Sequence, residues 1–303
     1  MSVEQWATTA RENRFWQQTA EQQTITTYHD LLSRRITPLE AAQTISSLYV
    51  SRIEEGDVNS WYPWTILLDA VKTIESDVDS LRLVAQMLRC ISQLPEPLDV
   101  SGEAVKSGIN AQVFWRDMPG FSYAFRQATP FVLIEDLEGQ DGVAWEDAAR
   151  RVSNANIFAA LYLQELVPNG PERDFSSMRK FALDQLMWTL EIETENAGQL
   201  RRAELYVPAV ANWIRIAGRN LYAYCKDNRD YKNEDVPQRW MGGPEYGSEL
   251  LWTGRDGYNI ERWQLWNRRF DEIAAHSGVS AKVRDIAAGI AEEMRKCSES
   301  DGA

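Results

Sequence analysis

Apolar side chains recur every three to four residues along most of this chain, which is the pattern of amphipathic helices. The clearest example begins at Thr37, where Thr, Pro and Glu occupy the N-cap, first and third helical positions of a capping box. The apolar stripe that follows consists of Ala41, Ile45, Leu48, Tyr49 and Ile53. This spacing predicts a helix that ends near Gly56 and buries one face.

The same period predicts further helices on both sides of a central irregular segment. They lie at residues 64–74, 81–91, 143–167, 175–193, 207–226, 259–276 and 279–296. The chain has no repeat of fixed length, which disfavours a solenoid. We therefore predict an all-α fold, with a single domain over residues 1–303 that forms one closed helical bundle.

Proline, glycine and serine interrupt the helical period between residues 95 and 130, which predicts a long loop over the helical body. Ordered loops of this kind often border functional sites. Residues 130–134 could form one short strand, but no alternating partner follows them, so we expect no sheet. The acidic segment 135–141 is predicted to be a solvated turn that leads into a helix.

Composition excludes several classes of function. The 45 acidic residues outnumber the 32 basic ones and give a formal charge of -13, which disfavours a nucleic-acid partner. Three widely spaced cysteines indicate reduced thiols rather than a disulfide framework. The chain has no long uncharged apolar run and no apolar secretory segment at its N-terminus. We expect a cytoplasmic protein that does not span a membrane.

Short catalytic motifs are missing from the sequence. Only His29 and His276 are present, which leaves little material for histidine-based catalysis. The chain also lacks the G-x-S-x-G, G-x-x-x-x-G-K-[ST], G-x-G-x-x-G and C-x-x-C patterns. These absences weaken the cases for a hydrolase, a P-loop enzyme, a Rossmann protein and a zinc protein.

Oxygen ligands on one helix are a candidate metal site. Gln185, Thr189 and Glu193 follow each other at intervals of four, so a continuous helix would present all three on one face to a Mg²⁺ ion. The alternative is a helix surface that simply carries Glu191, Glu193 and Glu195 into water.

A second set of polar residues stands among apolar neighbours and supplies further candidate ligands. Asp69 and Asn154 are assigned to the metal site, and Asn156 and Asp117 occupy similar positions. Buried residues of these types more often cap helices or bond to a neighbouring backbone group. Both interpretations stay open for these four residues.

Tryptophan is unusually abundant, with 12 residues in the chain. Trp188, Trp213 and Trp263 are candidate catalytic residues, because aromatic faces in a dry pocket stabilise cationic intermediates. Packing in the core is the simpler explanation for most tryptophans.

Arginines on the C-terminal helices are candidates for binding a diphosphate. Arg215 and Arg219 lie one helical turn apart beside Tyr222, and Arg262 follows on the next predicted helix. Ion pairing with the abundant carboxylates is the alternative for each of them.

Three stretches of the chain resemble a fungal family of proteins of unknown function. They are NANIFAAL at 154–161, VPAVANWI at 207–214, and LWTGRDGY at 251–258 with the ERW that starts at residue 261 and with Trp266, Arg269 and Phe270. The resemblance extends over about residues 25–275, and its last stretch is the most specific.

In overall plan the chain is also similar to the atypical fungal sesquiterpene cyclases of the humulene synthase type. In class I cyclases an Asn or Asp, a Ser or Thr and a Glu at intervals of four bind magnesium. The resemblance therefore implies that Gln185, Thr189 and Glu193 do so here, with Gln in place of Asn. The aspartate-rich motif DDxxD is absent, so Asp69 or Asp117 would take its place.

These observations together favour a Mg²⁺-dependent, class I-like sesquiterpene cyclase, a carbon-oxygen lyase that ionises a prenyl diphosphate such as farnesyl diphosphate. Helical cyclases often pair, so we also expect a homodimer. One alternative is a non-catalytic helical interaction protein of the unknown-function family. Another is a metal-independent cyclase or dehydratase of secondary metabolism.

Overall fold

A computed structural model describes the residues in nine ranges: 1–54, 62–75, 77–107, 112–128, 142–166, 172–193, 197–229, 251–254 and 256–299. These residues are mainly helical, and their one small ladder is an antiparallel pairing of β1 (Lys106–Ser107) with β2 (Gln112–Val113). The all-α prediction is confirmed. Residues 130–134 and 135–141, for which a short strand and a solvated turn were considered, lie outside the described ranges.

The helices vary widely in length. In chain order they are α1 (Val3–Glu12), α2 (Thr19–Leu32), α3 (Pro38–Glu54), α4 (Tyr62–Thr73), α5 (Val78–Ile91), α6 (Phe114–Asp117), α7 (Phe121–Ala128), α8 (Val143–Leu166), α9 (Glu172–Leu190), α10 (Ala197–Lys226), α11 (Ile260–Ala275) and α12 (Ala281–Glu299).

The capping box at the start of α3 forms as the sequence predicts. The Glu40 backbone N–H donates to Thr37 Oγ1 at 3.2 Å, and the Thr37 N–H donates to Glu40 Oε2 at 2.7 Å. These reciprocal bonds satisfy backbone donors that a helix start otherwise leaves without partners. The buried stripe of α3 includes Ala41, Ile45, Tyr49 and Ile53, so both the helix and its buried face are confirmed.

The chain divides into two compact units. The first contains Met1–Pro130 and Leu161–Met178, and the second contains Phe131–Ala160 and Arg179–Ala303. Helices α8 and α9 contribute residues to both units. The single domain over residues 1–303 and the single closed bundle stay predictions.

The first unit has an aromatic core that includes a helix from the predicted loop. The Trp64 ring meets Phe121 edge-on at 5.7 Å, and Phe121 stacks on Tyr162 at 5.3 Å. Phe121 begins α7, so the expectation of an irregular loop over residues 95–130 is wrong for this part. The reason is length, because α6 and α7 have four and eight residues and are too short to show a sustained period.

The second unit is built on α10, which packs against α11 and α12. Its start at Ala197 lies ten residues before the predicted one, because Pro208 is inside the helix rather than in its first turn. On α8, Ala148 and Val152 pack against residues of α10, namely Leu205, Tyr206 and Ala209.

Candidate functional site

A buried ion pair connects the end of α9 to α11. Arg262 donates from Nε to Glu191 Oε1 at 2.6 Å and from Nη2 to Oε2 at 2.9 Å, and both side chains are 0% exposed. Trp266 Nε1 also donates to Glu191 Oε1 at 2.7 Å, and Arg262 Nη1 donates to the carbonyl of Gly257 at 2.9 Å. We call Glu191, Arg262, Trp266 and Gly257 the Glu191 centre.

The segment before α11 brings Arg262 into this position. Asn259 is the N-cap of α11, and its side chain accepts from the Arg262 backbone N–H at 2.8 Å. Gly257 has a φ of +99°, a conformation that favours glycine because it has no Cβ. The Arg262 guanidinium also lies 5.4 Å from the centre of the Trp252 ring, close enough for a cation–π contact.

Arg269 caps the C-terminus of α9. Its Nε donates to the Leu190 carbonyl at 2.9 Å, and its Nη2 donates to the Ile192 carbonyl at 2.8 Å. The last carbonyls of a helix have no partners within the helix, so these bonds satisfy groups that are otherwise costly to bury. Because α9 ends at Leu190, Glu193 does not share a helical face with Gln185 and Thr189. The geometric basis of the predicted ligand row is wrong at Glu193.

The Glu191 centre is suited to stabilising the fold. Burying two charges is favourable only when both are paired and hydrogen-bonded, and removing one partner costs about 3–5 kcal/mol. Arg262 has a partner for Nε, for Nη1 and for Nη2, and it is completely buried. The structure therefore shows Arg262 in an internal ion pair, and its role in binding a diphosphate stays a prediction.

A second buried polar cluster joins α8, α9 and α10. Trp213 Nε1 donates to Asn156 Oδ1 at 2.7 Å. Asn156 Nδ2 donates to the Val152 carbonyl at 2.8 Å and lies 3.5 Å from Gln185 Oε1. Gln185 and Trp213, predicted as a metal ligand and a catalytic residue, are thus brought together around Asn156. The side-chain hydrogen bonds described for Gln185 and Trp213 are both made with Asn156.

Three other predicted residues line one small cavity. It measures about 10 Å³, which is room for roughly one water molecule. Its lining consists of Trp188, Thr189, Ile192, Glu193, Gln199, Arg202 and Ala203. Thr189 and Glu193 therefore do converge at the end of α9, but Gln185 is not in the lining.

The predicted diphosphate residues of α10 lie near α11 and α12. Arg215 Nε lies 4.0 Å from Glu293 Oε1, and the Tyr222 ring lies 5.3 Å from the Trp263 ring. Burial raises the pKa of the Cys297 thiol, and the positive charge of Arg219 opposes that rise. Arg215, Arg219 and Tyr222 thus follow one side of α10, and both arginines are exposed.

Trp263 also borders an open cleft between α11 and α12. Its Nε1 donates to Ser298 Oγ at 3.2 Å. The cleft has a volume of about 400 Å³, within the range of ligand-binding pockets. Its lining consists of Trp263, Gln264, Asn267, Arg268, Arg295, Ser298 and Glu299.

The remaining predicted ligands, Asp69, Asp117 and Asn154, line neither the small cavity nor the cleft. Asp69 lies in the first unit, where it accepts from Trp6 Nε1 at 3.0 Å and pairs with Lys72 at 3.4 Å. Asp117 accepts from the Val113 N–H at 2.7 Å. Asn154 is buried in the part of α8 that belongs to the second unit.

Sequence reasoning missed Glu191 as a central residue. The alternative interpretation of this helix, a surface that carries Glu191 into water, is wrong at Glu191 because its side chain is fully buried. A signal was available in the buried stripe of α9, where Leu183 and Met187 precede Glu191 at intervals of four. A carboxylate that continues an apolar stripe needs a buried partner.

A family model with the description "Protein of unknown function (DUF3632)" matches residues 64–270. The chain belongs to this family. The matched region includes all of the Glu191 centre, whereas α1 to α3 and α12 lie outside it. No curated protein and no solved structure matches the chain. The fungal origin of the family stays a prediction.

Within the described ranges, no three His, Cys, Asp or Glu side chains come together as a candidate metal site. Amide and hydroxyl oxygens are also ligands of Mg²⁺, so the set of Asp69, Asn154, Gln185, Thr189 and Glu193 stays a prediction. None of the described helices is both long and apolar enough to cross a membrane.

Proposed function

We propose that this chain is a non-catalytic helical protein that acts by binding a partner, the first alternative that the sequence leaves open. The Glu191 centre is the observation that carries this proposal. Arg262 and Trp266 come from the most specific stretch of the family resemblance, and both bind Glu191 in the interior. That stretch serves the fold, which leaves the surface of the same helix for recognition.

The cleft between α11 and α12 is the binding surface in this proposal. Arg268 and Glu299 carry opposite charges, and Gln264 and Asn267 supply amides. This mixture suits a polar peptide segment of a partner protein better than a hydrocarbon chain. Arginine is also one of the residues that most often dominate protein interfaces, and Arg268 is exposed.

The first experiment separates binding from catalysis. Purified protein is incubated with geranyl, farnesyl and geranylgeranyl diphosphates, with and without Mg²⁺, and the organic extract is analysed by gas chromatography. The binding proposal expects no product. A Mg²⁺-dependent hydrocarbon would overturn it in favour of the cyclase, and a product formed equally without Mg²⁺ would support the metal-independent cyclase or dehydratase.

A second experiment tests the cleft itself. A photo-crosslinking amino acid replaces Gln264, and in a control variant it replaces the exposed Ala288 of α12, which does not line the cleft. The expected result is a crosslinked partner peptide from the Gln264 position only, lost when Arg268→Glu is added. Equal crosslinking from both positions would remove the cleft from the proposal.

A Mg²⁺-dependent terpene cyclase is the second candidate function. It is favoured by the convergence of Trp188, Thr189 and Glu193 on one cavity, because carboxylate and hydroxyl oxygens are the ligands that Mg²⁺ prefers. Arg202 in the same lining opposes a cation. In this candidate Glu193→Ala abolishes turnover without changing the circular dichroism spectrum. The exposed Glu261→Ala on α11 is the matched control.

We also propose a cytoplasmic location. All three cysteines, Cys90, Cys225 and Cys297, are free thiols, as expected in a reducing compartment. Burial raises the pKa of Cys225 to about 12, so this thiol is unreactive at neutral pH. The homodimer expected from helical cyclases belongs to the second candidate, and light scattering of the purified protein tests it.

A further inference from the structure

One arginine of the cleft between α11 and α12 has no carboxylate partner. Arg268 is exposed, and among the described residues its side chain makes no hydrogen bond and no ion pair. The two carboxylates one helical turn further along α11 are already engaged, since Asp271 pairs with Arg295 and Glu272 pairs with Arg269. The Arg268 guanidinium therefore lines the cleft with donors that the described part of the protein does not use.

The other cation of the lining is paired within the protein. Arg295 donates from Nε to Glu292 Oε2 at 3.2 Å and from Nη1 to Asp271 Oδ2 at 3.1 Å. The chain has 45 acidic and 32 basic residues, so a shortage of carboxylates does not explain why Arg268 has none. Arg268 is therefore the cation of this cleft that is available to a negatively charged group of a ligand.

Amide side chains beside Arg268 are suited to a peptide backbone. Gln264 lies one helical turn before Arg268 on α11, and its exposed side chain makes no hydrogen bond with the described residues. Asn267 donates from Nδ2 to the Ala291 carbonyl at 2.7 Å, which leaves its Oδ1 as an acceptor. The cleft thus offers both donors and acceptors to main-chain groups next to a guanidinium.

Glu299 limits how acidic the bound segment can be. It lines the same cleft from α12, is exposed, and forms no ion pair with the described residues. A run of several acids would meet Glu299 as well as Arg268, and juxtaposed like charges oppose binding. The formal charge of -13 also repels a strongly acidic partner. A segment with one carboxylate among uncharged polar residues fits the lining better.

We propose that the cleft binds a peptide segment of a partner protein through a single Asp or Glu side chain of that segment, which pairs with Arg268. The planar guanidinium of arginine matches the two oxygens of a carboxylate and donates to both. Gln264 and Asn267 then bind main-chain groups on either side of the acidic residue. This inference rests on the proposed function, because it specifies the chemistry of the segment that the cleft recognises.

Selection from a library of random heptapeptides displayed on phage tests this contact. The library is selected on the full chain as wild type, as Arg268→Glu and as Lys282→Glu, an exposed position of α12 outside the lining whose substitution changes the net charge equally. Peptides selected on the wild type should share one Asp or Glu, bind Lys282→Glu equally and bind Arg268→Glu about tenfold more weakly. Arg268→Glu should instead select peptides with Lys or Arg, an exchange that a purely structural arginine would not produce.

The photo-crosslinking amino acid at position 264 separates failure of this contact from failure of the proposed function. Peptides that crosslink there but share no acid, or that bind Arg268→Glu as well as wild type, would overturn the acidic contact alone. Selection of no peptide that crosslinks there would contradict both the contact and the cleft as a binding surface. If circular dichroism shows that Arg268→Glu is unfolded, Arg268→Gln replaces it, with the same weakening of peptide binding expected.

Discussion

Two arginines on neighbouring helices of the second unit form ion pairs that differ greatly in burial and in their expected contribution to stability. Arg262 and Glu191 are both 0% exposed, whereas Arg295 and Asp271, 3.1 Å apart, are 43% and 52% exposed. Water already solvates the second pair well, so its net contribution is small. The first pair has no water to replace a lost partner. Burial, rather than the presence of an ion pair, decides which arginine the fold requires.

The largest expected effect is that of Arg262→Met. This change leaves the Glu191 side chain without its ion-pair partner in the interior, and we expect the free energy of unfolding to fall by about 3–5 kcal/mol. Urea unfolding followed by circular dichroism measures it. Arg268→Met, on an exposed position of the same helix, is the control. A loss below about 1 kcal/mol, the range of exposed pairs, would remove the distinction between the two regions.

A buried hydrogen bond between two uncharged side chains, Trp213 and Asn156, is expected to contribute an intermediate amount to stability. Asn156→Ala leaves the Trp213 Nε1–H without its acceptor, which costs about 1–3 kcal/mol in unfolding free energy. The matched control is Asn212→Ala, since Asn212 is only half-buried and also donates to a carbonyl of its own helix. Equal losses in the two variants would contradict the role given to burial.

Much of the helical plan could be predicted because its signals are local. The capping box of Thr37 and Glu40 marks the start of α3, and residues 259–276 were predicted for a helix that covers Ile260–Ala275. Both signals lie within a few residues of the boundary they mark. The predicted start of α10 is wrong because the local sequence around a proline does not show whether it lies in the first turn of a helix or, like Pro208, inside one.

The site was harder to predict because its contacts join distant parts of the chain. Glu191 is buried only because Arg262, 71 residues later, reaches it. Gln185 and Trp213 have the residue types of a ligand and an aromatic wall, but Asn156 on another helix engages both. Side-chain type is visible in a sequence, whereas the partner that decides its role is not.

Asp77, the N-cap of α5, is exposed, and its side chain accepts a hydrogen bond from the Ser80 backbone N–H. Asp77→Ala is expected to cost about 1 kcal/mol in unfolding free energy. Hydrogen bonds from Ser80 hold the pKa of Asp77 below its usual value, so this stability is present above about pH 4 and is lost as pH falls through the lower folded pKa. Asp79→Ala, in the first turn of the same helix, is the control. A pH-independent effect of Asp77→Ala would contradict the cap.

The smallest expected effect is that of Arg295→Ala. Its pairs with Asp271 and Glu292 are exposed, so the unfolding free energy should change only slightly, and less in high salt. Thermal unfolding in low and high salt measures the change. A loss as large as that of Arg262→Met would mean that exposure does not separate the two arginines.

A double-mutant cycle on Glu191 and Arg262 tests the central claim, that the family stretch around α11 serves the fold. Unfolding free energies are measured for Glu191→Leu, for Arg262→Met and for the two combined. The expected result is two strongly destabilised single variants and a double variant that recovers about 2–3 kcal/mol relative to their sum. Additive effects, with both single variants as stable as the wild type, would contradict the claim and return these residues to a functional site.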